Sequence, residues 1–439
     1  MRIPLPRCWS IGAADAGRQN RANDSALRQS AATKESSRRG QNLLKRNSDK
    51  GSGATVSMNR GEVAIVGGSA AGLFTAALLA RGGRRVRVLE ASERLDPETR
   101  TLIVTRRMHD LLGAAGEASV VNEIRRFELF TDGRSAEIPL ARPDLIIERA
   151  RLIRSLAGEA QRAGARIELG RRFLQLEPNG RGVALSVERP DAAREELHSE
   201  TVVGADGAAS RVAHSAGWPG QETVPLLQAI VALPHDYPPN TVRVWFVPAD
   251  TPYFYWLIPE SPDRGALGLI AEDGQEARKC LDHFLSKRGF TPLAFQGARI
   301  PVYRRWVPVR KQVGGGEVYL VGDAAAQVKV TTVGGIVTGF RGALGVAEAI
   351  LSGTPSRELR RLRRELALHW LIRKSLHRFQ QADYSRMVDL LSAALRRSLS
   401  EYTRDEASRI LWRIAVRQPK LLLLGLRGLL MKESCPRAG

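Results

Sequence analysis

Three glycine-bearing turns hold the residues of this chain whose types and spacing could do chemistry. The first is Gly67-Gly-Ser-Ala-Ala-Gly72, entered from a buried run, Val-Ala-Ile-Val, and followed by a helical run from Ala71 to Arg81. Gly67 permits the tight turn and Gly72 lets the helix pack close to the strand. Unpaired N–H groups at the helix start then favour a pyrophosphate. Ser69 stands where the middle glycine of G-x-G-x-x-G would be, and it is small enough to let that pyrophosphate approach. Glu90 closes a second strand, Val86-Arg-Val-Leu-Glu90, where a carboxylate can accept hydrogen bonds from an adenosine ribose. Loop and carboxylate together point to a dinucleotide.

The second turn is Val202-Val-Gly-Ala-Asp-Gly-Ala-Ala-Ser210, again a buried strand running into glycine, with Asp206 at the turn. The third is Val318-Tyr-Leu-Val-Gly-Asp-Ala-Ala-Ala326, then Thr331-Thr-Val-Gly-Gly-Ile336 and a helix from Val337 to Leu351. Asp323, after Gly322 at the strand end, can bind a ribityl or ribose hydroxyl. Gly334 and Gly335, leading into Ile336, would expose backbone N–H groups able to stabilise the anionic N1/C2=O edge of a reduced flavin.

These turns need a scaffold of alternating strands and helices. The βα order with a helix over Arg149 to Ala163 and strands near Ile167 and over Val183–Glu188 predicts an α/β domain. Between Leu226 and Pro301 the strands lie closer together, which predicts a separate antiparallel sheet, with Thr241–Phe246, Tyr253–Ile258 and Ala266–Ile270 among its members. Arg-rich helices follow, over Leu359–Arg378, Met387–Leu399 and Asp405–Val416. The division is a basic disordered tail over 1–60, a first α/β part over 61–225, the sheet over 226–301, a second α/β part over 302–353 and a helical region over 354–439.

Composition narrows the class. At 439 residues, two domains fit. The net charge of +21 attracts anionic partners without choosing among them. The first sixty residues carry 12 basic and 4 acidic side chains in an acid-poor, Ser-rich context, as in a targeting segment or an extension upstream of a start at Met58. Cys8, Cys280 and Cys435 are far apart, and no His/Cys pairing suits a metal, so a reducing, cytoplasmic setting is expected. No apolar run is long enough to span a bilayer. The run Pro419–Lys432, apolar and flanked by base, suits a bilayer interface, and anionic lipid would account for Arg360, Arg361, Arg363, Arg364, Arg373 and Lys374 as well as a solvated face does. No basic stretch interleaved with aromatics supports nucleic acid.

In this order the glycine loop, Gly204-Ala-Asp-Gly207 and Gly322-Asp-Ala-Ala325 resemble the FAD-binding set of the para-hydroxybenzoate hydroxylase superfamily, over about Glu62 to Gly353. Within it, Val321–Ile336 is most similar to the geranylgeranyl reductase family, whose members saturate isoprenoid double bonds. Phe254-Tyr-Trp-Leu-Ile-Pro259 resembles that family's Tyr-x-Trp-x-Phe-Pro signature, with Trp256 and Pro259 matching outright. The same segment half satisfies the Trp-x-Trp-x-Ile-Pro pattern of flavin-dependent halogenases.

The resemblance implies a Rossmann-type FAD-binding domain, an antiparallel-sheet substrate domain and C-terminal helices. It implies FAD held by Gly67, Ser69, Gly72, Glu90, Asp206, Gly322, Asp323, Gly334, Gly335 and Ile336, with Arg100 either beside the cofactor or on a solvated surface. The substrate would be a polyprenyl lipid or diphosphate, met by Phe254, Trp256 and Pro259 in an apolar tunnel that Trp245, Phe246 and Tyr253 also line. The reductant would be NADPH or a small electron carrier, and peripheral contact with an anionic membrane is part of the expectation. The Cys-Gly pair of some members is missing between Glu90 and Arg149, so Cys280 receives no role. A flavin monooxygenase or halogenase, or a non-catalytic FAD-containing lipid-binding protein, are the alternatives.

Overall fold

The computed structural model describes residues 61–98 and 100–430. The expectations for residues 1–60, for Cys8 and for Cys435 lie outside them.

A six-stranded sheet forms the first layer, in the order Arg310–Val313, Gly316–Leu320, Thr201–Gly204, Val63–Val66, Val86–Leu89, Arg166–Glu168. It is parallel except for Arg310–Val313. Every residue of Val63–Val66 and of Thr201–Gly204 is buried, as expected of central strands covered on both faces. The helices Ala70–Arg81 and Ile336–Ser352 pack on it, with Phe74 and Phe340 edge to face at 5.2 Å. All three glycine turns lie at the same end of neighbouring parallel strands, where ligands of open α/β sheets bind.

The second sheet has eight strands, in the order Pro292–Pro301, Thr223–Ala232, Arg264–Ile270, Tyr255–Pro259, Thr241–Trp245, Val120–Thr131, Arg134–Glu148, Thr101–Val104. Two features differ from the sequence division. Three strands come from residues 101–148, which that division assigns to the first α/β part. One pair, Thr241–Trp245 with Val120–Thr131, is parallel. Charge hides the strand Val120–Thr131, because Glu123, Arg125, Arg126 and Glu128 interrupt its apolar pattern. Arg125 pairs with Glu123 of the same strand, while Glu128 is answered from across the sheet, Arg243 Nε donating to its Oε2 at 2.9 Å. A third, three-stranded sheet holds Arg172–Asn179, Gly182–Glu188 and Arg194–Ser199.

Helices Arg357–Leu376, Gln381–Asp389, Ala393–Ser400, Ala407–Arg417 and Pro419–Leu430 complete the described chain. The single helix expected over Met387–Leu399 is broken. Ser392 takes an extended backbone and its hydroxyl accepts from Leu395 N, so a new helix starts there.

Candidate functional site

At the first turn Gly67 has φ +105°, and a Cβ on it would lie 2.5 Å from the Ala205 carbonyl oxygen of the second turn. A Cβ on Gly72 would lie 2.3 Å from the Gly67 carbonyl oxygen. Both positions are therefore closed to any side chain. Ser69 is the N-cap of the helix Ala70–Arg81, its hydroxyl accepting from Gly72 N at 3.2 Å. That is a physical reason for serine at this position. Glu90 Oε2 accepts from Gly68 N at 2.6 Å and Oε1 from Ser92 N at 2.9 Å, which ties the second strand's end to the glycine loop.

Asp206 is turned into its own loop. It accepts from Ser210 Oγ at 2.6 Å and from Val212 N at 3.1 Å. Burial pushes its pKa up in spite of those bonds. The carboxylate shapes the turn that abuts Gly67, since a Cβ on Gly67 would come within 3.1 Å of Asp206 Cα.

The third turn meets the first. Gly322, at φ +62°, would place a Cβ 3.0 Å from the Ala71 Cβ, and Gly339 one 3.7 Å from the same atom. Asp323 Oδ1 would lie 3.1 Å from a Cβ on Gly335, so Asp323 and the Gly334-Gly335 pair share one wall. Burial raises the pKa of Asp323, opposed by the charges of Arg100 and Arg149. Arg100 is near enough for its charge to act on Asp323, and its Nε is buried without a hydrogen-bond partner. The helix Ile336–Ser352 starts at Gly335 with no side-chain cap. Val333, just before it, is held at φ +52°. A β-branched residue there costs about 1–3 kcal/mol and marks a loop over-determined by its surroundings.

The loop faces the second sheet. Val333 and Phe254 pack against a cluster that includes Tyr253, Trp256, Ile258 and Ile270. Trp256 is buried, its indole Nε1 has no partner, and a Cβ on Gly268 would lie 2.6 Å from its ring. Pro259 closes the strand, its carbonyl accepting from Asn122 Nδ2 at 3.0 Å. Of the aromatics expected to line one tunnel, Trp245 is elsewhere. It packs with Tyr255 and Phe284 in a separate cluster, because side chains alternate between the faces of a sheet. Phe246 remains in line with Trp256. Its ring lies 6.4 Å from Phe254, which lies 6.0 Å from Trp256, and it stacks on Tyr384 at 4.7 Å.

Behind the glycine pair is a buried charge cluster that sequence reasoning missed. Lys329, whose Nζ would lie 3.8 Å from a Cβ on Gly334, is ion-paired to Asp405, and Thr105 Oγ1 donates to the same carboxylate. Burial pushes Asp405 up, but Lys329 and Thr105 outweigh it and hold the group at about 2. Asp144 is pushed up by burial in spite of Arg404 at 2.7 Å. The one signal in the sequence is a lysine between two valines, Val328 and Val330.

His369 Nδ1 is 2.6 Å from Thr331 Oγ1 in the same region. Burial, reinforced by Lys329, pushes its pKa down to about 3. A base with a folded pKa below its unfolded value of 6.5 contributes stability above pH 6.5 that is lost as pH falls towards 3. The slope is about 1.4 kcal/mol per pH unit. In denaturant unfolding across that window, His369→Gln is expected to lose this slope; a variant that tracks the wild type would show that His369 titrates normally.

Cys280, whose thiol burial pushes up to about 11, is a poor nucleophile and stays without a role. Among the described residues no group of His, Cys, Asp and Glu could hold a metal ion.

The residues present fit FAD. The Gly67/Gly72 cradle has no room for side chains, and Arg100 Nε, Thr332 Oγ1 and Trp256 Nε1 are buried and without partners around the third turn. When bound, FAD supplies the redox chemistry. The first helix start would hold the pyrophosphate, Gly334 and Gly335 would present N–H groups to the cofactor, and the Trp256 roof would exclude water.

Known proteins agree. Residues 60–357 match the FAD binding domain family. Digeranylgeranylglycerophospholipid reductase 1 of Methanopyrus kandleri is 27% identical over 296 residues, which cover 63% of this chain and 76% of that one. A geranylgeranyl bacteriochlorophyll reductase-like protein of Thermoplasma acidophilum superposes with a TM-score of 0.70 at 19% identity, over 84% of this chain and 99% of that one. The flavin-dependent halogenase CmlS superposes with a TM-score of 0.58 at 17% identity, over 84% and 72%. At these identities the superpositions speak for a fold that serves more than one chemistry. The chain belongs to the FAD binding domain family and is an FAD-dependent oxidoreductase.

Proposed function

We propose that this protein saturates C=C bonds of a polyprenyl lipid or diphosphate of the geranylgeranyl type. The observation that carries the reading is the contact between the third turn and the roof: Val333 packs against the Trp256 cluster, and an aromatic series leads away from it through Phe254 and Phe246. An apolar chain laid along that series would meet the cofactor edge presented by Gly334, Gly335 and Ile336, with Trp256 and Pro259 setting the height of the gap. The relatives named as digeranylgeranylglycerophospholipid reductases support a substrate of this class.

Adding hydrogen across an isolated double bond needs a hydride, a proton and a dry, oriented site. Arg100 and Asp323 would anchor the cofactor, and Glu90 would exchange its Gly68 bond for the ribose. The reductant is NADPH bound transiently or a small electron carrier. A lipid substrate also makes peripheral contact with an anionic membrane part of this reading.

The test is anaerobic. The yellow protein is reduced with dithionite, a geranylgeranyl lipid is added, and flavin absorbance is followed with mass analysis of the lipid. Reoxidation with gain of hydrogen pairs is expected. A flavin that stays reduced until oxygen is admitted would replace this reading with a monooxygenase.

A further inference from the structure

The last two described helices bury one side and leave the other apolar and open. On the inner side Ile414 and Leu421 pack against Val388, Leu391 and Leu395, and Leu424 packs with Phe379 and Tyr384. A Cβ on Gly428 would lie 2.6 Å from Ser375 Oγ, so the second helix is closely seated. On the outer side Trp412 is 68% exposed, Leu423 62% and Leu430 86%, with Val416 and Leu426 beside them. Trp412 and Val416 are four apart, and Leu423, Leu426 and Leu430 follow at three and four, so each set shares one helix face. Single exposed apolar residues are ordinary; five on two consecutive helices are a patch.

Charge decides what covers it. Residues 407–430 contain Arg409, Arg413, Arg417, Lys420 and Arg427 and no carboxylate. A second copy of the patch would set cations against cations. An anionic lipid surface complements both properties. Helices of 11 and 12 residues are too short to span a bilayer but can lie in its interface.

We propose that the helix pair Ala407–Arg417 and Pro419–Leu430 docks the protein on an anionic bilayer and is the place where the lipid substrate enters. This rests on the reading of a polyprenyl lipid substrate. The inner side of the second helix is the outer end of the aromatic series: Leu424 lies in one cluster with Phe379 and Tyr384, and Tyr384 stacks on Phe246, which leads through Phe254 to Trp256. A chain leaving the bilayer beside Leu424, on the inner face, would follow aromatic faces to the roof of the site.

The test uses the full FAD-loaded chain and two kinds of vesicle, phosphatidylglycerol and phosphatidylcholine. Wild type is expected to co-sediment with the anionic vesicles, less so as salt rises, and not with the zwitterionic ones. Trp412→Glu/Leu423→Glu, at exposed positions, is expected to keep its flavin absorbance and to lose at least ~100-fold in vesicle affinity. It should reduce detergent-dispersed lipid as wild type does while failing on vesicle-embedded lipid. Undiminished vesicle binding by the variant, equal binding to both vesicles, or a wild-type dimer that the variant abolishes would overturn the proposal. A protein that docks as described yet reduces no lipid would leave docking standing and refute the proposed reaction instead.

Discussion

Gly72→Ala is expected to purify as a folded, colourless protein. The added methyl would sit 2.3 Å from the Gly67 carbonyl oxygen and 2.9 Å from the Ala205 Cβ, neither of which is the free end of a flexible side chain. The helix Ala70–Arg81 must move away from the strand, at about 1–3 kcal/mol of overpacking. That movement carries Ser69 and the helix-start N–H groups off the pyrophosphate position. Each 1.4 kcal/mol of lost interaction weakens FAD about tenfold, so a loss of 100-fold or more is expected in a titration with FAD. Gly83→Ala, which has φ +78° but nothing within 4 Å of the added atom, is the control. It should cost stability through backbone strain and keep its colour. A Gly72→Ala protein that retains stoichiometric FAD would show that the first turn is only a structural turn.

Asp405→Ala is expected to destabilise the fold by about 3–5 kcal/mol, because it leaves Lys329 buried and uncompensated. Lys329 and Asp405 are almost fully buried, and Thr105 loses its acceptor in the same substitution. Replacing the pair together, as Lys329→Met/Asp405→Leu, removes both desolvation penalties and should restore most of the loss. Because Lys329 backs the Gly334–Gly335 turn, the single variant should also release FAD at a lower temperature than the wild type. The pH sign follows from Asp405: its folded pKa, about 2, lies below the ordinary carboxylate value of 3.8, so the stability it contributes is present above that value and lost as pH falls through 2. Chemical denaturation of the three variants decides the matter. An Asp405→Ala protein as stable as wild type would mean that Lys329 is neutral in the folded state.

Local residue pattern is enough to recognise the three glycine turns. A strand that is buried on both faces must be apolar throughout, and a turn that meets another backbone must be glycine. Both demands are written in consecutive residues, so the parallel sheet, the helices after it and the glycine turns are legible without any partner. The same holds for Trp256 and Pro259, which stand on one strand. Other facts needed the fold. The strands of residues 101–148 join the roof sheet through pairing that no local pattern encodes, and the charge of Glu128 is answered by Arg243 across the sheet. Trp245 leaves the tunnel because alternation along its own strand turns it to the other face.

Asp206 and Arg100 divide along the same line. The carboxylate of Asp206 is taken by Ser210 and Val212 of its own turn, while the guanidinium of Arg100 finds Asp323 far along the chain. Lys329, Asp405 and His369 are isolated polar residues in the sequence, and they become one buried cluster only because the C-terminal helices close against the third turn. The sequence by itself determined a dinucleotide site, since close backbone approach and an anionic ligand demand particular residues at short spacing, and the resemblance of the three turns to a known superfamily implied that the dinucleotide is FAD. Tertiary structure alone decided which charges are buried together and which aromatics share a face, because long-range contacts and their desolvation have no counterpart in neighbouring residues.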